Sequence, residues 1–205
     1  MATRRRILSS PLALIAALAV VGLIAGIGVA HDRATSTSLA HGESAQPPWP
    51  APPVSERRER AAAADLPNVY GVKLQQHIHT HLSITIDGVA ATVPGQIGLD
   101  EDNRYATALH THDTSGIIHV ESPDRRDLTL GQFFTEWNVR LDARHVGARG
   151  GDIGEVLTVF VDGQRRAGNP ASIVLHNLDT IDLVVAPAGT TARPTSAFDW
   201  PGNYR

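Results

Sequence analysis

The chain has 205 residues, 18 basic and 21 acidic side chains, ten histidines and a formal net charge of -3. That balance offers no electrostatic footprint for nucleic acid. There is no cysteine, and the one methionine is Met1. Disulfides, zinc ribbons, thiol catalysis, iron–sulfur clusters and thiolate copper sites are thereby excluded, so any transition metal must be held by imidazole and carboxylate.

The N-terminus carries Arg4, Arg5 and Arg6, followed by a charge-free apolar run from Leu12 to Ala30. About 20 apolar residues cross a bilayer, and arginines stay on the cytoplasmic side, so everything after Ala30 is expected outside. Residues 1–30 read as an uncleaved signal-anchor. A cleaved signal peptide ending at the small residues Gly28 and Ala30 is the alternative, and a twin-arginine signal is a fainter one. All agree on export: a single-pass membrane protein with its folded part outside, or a secreted one after cleavage. Residues 31–66 are rich in Ala, Ser, Pro and charge, without apolar periodicity, and read as a disordered tether. Within it Ser55 to Ala64 has the composition of a short helix, and His31 and His41 read as solvated.

The folded domain is expected over residues 67–187. Ile78, Leu82, Ile84 and Ile86 share one side of a period-2 pattern that ends at Asp87-Gly88 and returns along Val89 to Val93; Asp-Gly between such runs marks a hairpin. A second hairpin is expected from Tyr105 to His112, turning at residues 113–116 and returning along Ile117 to Glu121. Thr129 is placed to cap a helix with Gln132 three residues on, and Leu130, Phe133, Phe134 and Trp137 share its apolar face. Strands follow at Leu157 to Val161, turned by Asp162-Gly163, and at Asp182 to Val185. These elements predict an α+β domain: a mixed or antiparallel sheet of short hairpins with one short helix, β-grasp-like, with a β-sandwich as alternative. Residues 188–205, rich in Pro, Gly and Thr, read as a surface tail.

The chemistry concentrates in histidine. His77, His79 and His81 alternate with Ile78 and Leu82, so a strand points the imidazoles away from its core face. In the second hairpin, a turn centred on Thr114 and Ser115 sets His110 opposite His119, with His112 two residues along and Glu121 diagonally beyond. Directly paired residues bring their Cβ atoms within about 5.5 Å, close enough for imidazoles to share an ion. His79, His81, His110, His112 and His119 are therefore the candidate ligands for Zn(II) or Cu(II), with Asp113 or Glu121 as a further ligand, an orienting partner or a base on bound water. Asp113 also has an ordinary reading as a turn former. His145 and His176 read as structural. Asp113-Thr114-Ser115-Gly116 lacks the second carboxylate of an aspartic protease, and Ser115 lacks the context of a nucleophile elbow.

The His77-x-His79-x-His81 run, the stretch from Leu109 to Ser122 and Leu130-Gly131-x-Phe133-Phe134-x-x-Trp137 together resemble a family of secreted or membrane-anchored bacterial and archaeal proteins of no settled activity. The resemblance spans the folded half of the chain and implies that these residues matter, without supplying an activity. Cupins share only His-x-His on a strand, and three-histidine carbonic anhydrases only the cross-strand logic. The expected function is extracytoplasmic metal capture, buffering or delivery; the alternative is a metal-dependent hydrolase or hydro-lyase with three histidines and a carboxylate base. The expected partners are the metal ion and, through the N-terminal helix, the membrane.

Overall fold

A computed structural model describes residues 46–151 and 154–204. The apolar run at residues 12–30 and the tether up to residue 45 lie outside them. Among the described residues no helix is long and apolar enough to cross a membrane.

The fold is α+β, mostly strands with two short helices. In chain order the elements are α1 (Arg57–Ala63), β1 (Gln76–Ile86), β2 (Val89–Ala91), β3 (Leu99–Asp100), β4 (Tyr105–Ala106), β5 (Leu109–His110), β6 (Ile117–Ser122), α2 (Leu130–Trp137), β7 (His145–Val146), β8 (Arg149–Gly150), β9 (Glu155–Val161), β10 (Gln164–Arg166) and β11 (Thr180–Pro187). Seven strands form the main sheet in the order β10-β9-β11-β1-β6-β5, with β2 also on β1. Only the β1–β11 pair is parallel.

The long strand β1 organises the sheet. Its first half pairs with β6 and its second half with β2, along the same edge, while β11 takes the other edge. Both Asp-Gly hairpins form as expected. Asp87 and Gly88 have φ of 51° and 81°, and Asp162 and Gly163 have 51° and 72°, the doubly left-handed turn that fits the twist of the flanking strands. Leu82, Ile84 and Ile86 are buried on the even-numbered face of β1, joined by Ile118, Val120, Ile181, Leu183 and Val185 from its neighbours. Helix α2 closes this core with Phe133, Phe134 and Trp137. Its start is the anticipated capping box: Thr129 accepts from the Gln132 N–H, and the Gln132 side chain accepts from the Thr129 N–H.

Three expectations need correction. The packed body begins ahead of Pro67: Trp49 is 3% exposed, its ring stands edge-on to Trp137, and Pro50 O accepts from Trp137 Nε1. Ala61 is buried within α1 and Ala64, just past its end, belongs to the core, so the short helix anticipated at Ser55 to Ala64 forms and packs instead of lying in a disordered tether. Pro-rich composition predicts missing regular structure, but one large apolar side chain suffices to dock such a segment. Lastly, the second hairpin is shorter than anticipated. Tyr105 and Ala106 pair with Asp100 and Leu99 instead, and only Leu109 and His110 pair with β6.

Candidate metal centre

The face of the sheet opposite the core carries the histidines, and strand register places them. His79 pairs with His119 between β1 and β6, and His119 pairs with His110 between β6 and β5. Three imidazoles thus form a row across three adjacent strands. His77 lies two residues back along β1, opposite Glu121, and His112 lies just beyond the end of β5. Ring centroids around His119 stand at 4.6 Å for His79, 5.1 Å for His110, 4.5 Å for His112 and 5.9 Å for His77.

Two groups of three imidazoles result. His77, His79 and His119 form one, and His110, His112 and His119 the other; within each, one ligand atom per residue lies within 4.8 Å of the others. His119 is 8% exposed and His110 2% exposed. The Thr107 carbonyl accepts from His110 Nδ1 at 2.9 Å, which fixes the proton there and leaves Nε2 with its lone pair, the tautomer a ligating imidazole needs. Two further nitrogens, His79 Nε2 and His119 Nδ1, are buried without a hydrogen-bond partner. Buried polar atoms are rarely left so, because the lost hydration goes unreplaced. An all-nitrogen donor set with two buried, unpartnered nitrogens could hold a divalent ion of the Zn(II) or Cu(II) kind.

Crowding imidazoles out of water also keeps them neutral. Burial first, then repulsion from His77 and His112, lowers the His79 pKa to about 4. Burial lowers His110 to about 4 against the opposing effect of the Thr107 carbonyl. Burial and its four histidine neighbours bring His119 to about 3. Neutral imidazole is the ligating form.

The structure brings together four of the five anticipated ligands: His79, His110, His112 and His119. His81 is placed elsewhere. Its ring stacks on Phe198 with centroids 3.7 Å apart, Nε2 donates to Ser115 O at 3.1 Å, and it lies outside both groups. It lines instead a cavity of about 280 Å³ with Asp162, Asp182, Thr195 and Phe198. His77, passed over as a ligand, joins the cluster in its place. Glu121 is the carboxylate at the site, its Oε1 3.2 Å from His77 Nε2 and 3.9 Å from His119 Nδ1. Asp113 serves its turn, accepting from the Ser115 N–H at 2.9 Å. His145 is turned to Asp142, with Nδ1 to Oδ1 at 2.9 Å, and His176 lies in the turn capped by Asp179; both stay apart from the cluster.

The tail contributes what sequence reading missed. It lies on the surface, but as a strap along the histidine face. Thr195 hydrogen-bonds to Asp182, Phe198 stacks on His81, and Tyr204 stands edge-on to His79 at 4.5 Å and to His119 at 5.8 Å. The available signal was compositional: Phe198, Trp200 and Tyr204 are three of only ten aromatic residues in the chain. No protein family, curated protein or solved structure matches this chain.

Proposed function

We propose that this domain is an extracytoplasmic metal-binding module that captures, buffers or delivers Zn(II) or Cu(II) at the membrane to which residues 12–30 tether it. One observation carries the reading: five imidazoles from β1, β5, β6 and the turn between β5 and β6 converge on one sheet face, two of them with buried nitrogens that no protein group satisfies. The export and tethering rest on the arginine-flanked apolar run. The strand order β2-β1-β11-β9-β10, with a central parallel pair and α2 between the two hairpins, supports a β-grasp-like scaffold in which strands hold four of the five imidazoles and the turn after β5 the fifth, His112.

The test is metal content of the full chain, made without an affinity tag, purified in detergent and dialysed against trace Zn(II) or Cu(II). Stoichiometric retention is expected, with a rise in thermal midpoint on loading, since an ion held at 100 times its Kd adds about 2.7 kcal/mol. His31→Ala with His41→Ala should leave retention unchanged. A dialysed chain with no bound metal and an unmoved midpoint would overturn the reading.

A second reading has one observation in its favour. Glu121 is a largely covered carboxylate beside a group of three imidazoles, the combination that activates a metal-bound water in a hydrolase or hydro-lyase. Glu121→Gln should then abolish turnover of an activated ester while leaving metal content intact.

A further inference from the structure

Five imidazoles are more than one tetrahedral ion accepts, and their arrangement is not that of a single shell. They fall into two His-x-His pairs, His77 with His79 and His110 with His112, one on either side of His119. The two groups that meet ligand spacing share His119 and no other residue. His119 Nδ1 is buried and unpartnered. It lies 3.9 Å from Glu121 Oε1, which itself touches His77 Nε2, so this nitrogen faces the His77 side. The lone-pair directions of the two imidazole nitrogens diverge, and the ring is flanked on its other side by His110 and His112 at 5.1 and 4.5 Å.

Resting on the metal-binding reading above, we infer that the cluster is a binuclear centre in which His119 bridges two divalent ions as an imidazolate. One ion is held by His77, His79 and His119 Nδ1, the other by His110, His112 and His119 Nε2. Neutral imidazole has one lone pair, on the nitrogen without hydrogen. Binding the second ion therefore displaces the remaining His119 N–H proton to solvent, and the ring becomes an anion between two cations. The electron pair freed by that proton forms the new bond to the metal, and no oxidation state changes. Each ion keeps three nitrogen ligands, which leaves room for a further ligand.

The experiment is Cu(II) loading of the tag-free full chain, with copper per chain measured by elemental analysis and unpaired spins by electron paramagnetic resonance. An imidazolate bridge couples the two spins, so two coppers per chain are expected with a low-temperature signal well below that of the copper present. His77→Asn with His79→Asn alters the partly exposed pair and spares the buried His110, so the fold survives. It should halve the copper to one per chain and restore a full signal for the copper that remains. One copper per chain with full spin intensity in the unmodified chain would overturn the shared centre and leave the metal-binding reading standing. Two coppers with full, uncoupled intensity would overturn the bridge. No bound copper would overturn both.

Discussion

Glu136 is 1% exposed inside the core, and burial raises its pKa from 4.5 to about 8. Its Oε2 lies 3.0 Å from Thr107 Oγ1, which is 2.7 Å from Leu109 O. The Thr107 hydroxyl is within reach of both the Glu136 carboxyl and the Leu109 carbonyl, and its hydrogen bond to Glu136 opposes the upward shift without cancelling it. The sign of the pH effect follows. Between pH 4.5 and 8 the folded chain holds a proton that the unfolded chain has released, so stability falls as pH rises through this window. Acid-side behaviour is mixed with the histidines, whose lowered pKa values make stability rise with pH below 6.5. The clean interval is therefore pH 6.5 to 8, where Glu136 accounts for about 2 kcal/mol. Glu136→Gln cannot ionise and loses that slope. Thermal unfolding of metal-free chain at half-unit pH steps should show the two proteins diverging by about 4–8 °C across the interval, the variant gaining. Parallel curves would show that Glu136 is already ionised in the folded state and would refute the reasoning.

Two shorter predictions concern the surroundings of His81. Gly116 sits at φ +82°, where an added Cβ would lie 2.4 Å from Leu82 O and 3.1 Å from His81 Nε2; Gly116→Ala should cost on the order of 1–3 kcal/mol of stability, and an unchanged urea midpoint would refute the close approach. Phe198→Ala should cost about 0.5–1.5 kcal/mol for the lost stacking and leave His81 several-fold more reactive to diethyl pyrocarbonate by peptide mass spectrometry. An unchanged rate at His81 would mean that the strap does not cover it.

Period-2 alternation and turn chemistry carried most of the fold to the surface of the sequence. Ile78 to Ile86 followed by Asp-Gly is a local signal, since both the buried face and the hairpin turn are decided within a dozen residues. The capping box at Thr129 is local in the same sense. What local patterns do not specify is which strand lies beside which. Pairing of β1 with β11, close to a hundred residues later, is decided by the burial of both strands in one core, and no short motif announces it. The docking of Trp49 on Trp137 belongs to the same class: Pro47 to Pro53 has no period, and its ordering comes from a partner distant in sequence.

The ligand set shows how far one missing register propagates. Alternation places His77, His79 and His81 on one face, but each two-residue step also moves about 6.6–6.8 Å along the strand. A centre built around one of them reaches only one of its neighbours well, and the adjacent strand decides which. Once His79 is set opposite His119, antiparallel pairing puts Glu121 beside His77 and Ile117 beside His81. The polar partner extends the histidine patch toward His77. The apolar partner, followed by Ser115 and Gly116 in the turn, ends the patch, and Phe198 packs over His81 instead. The exchange of His81 for His77 thus follows from a single pairing, His79 with His119, which the hairpin from His110 to His119 constrains on only one of its two sides.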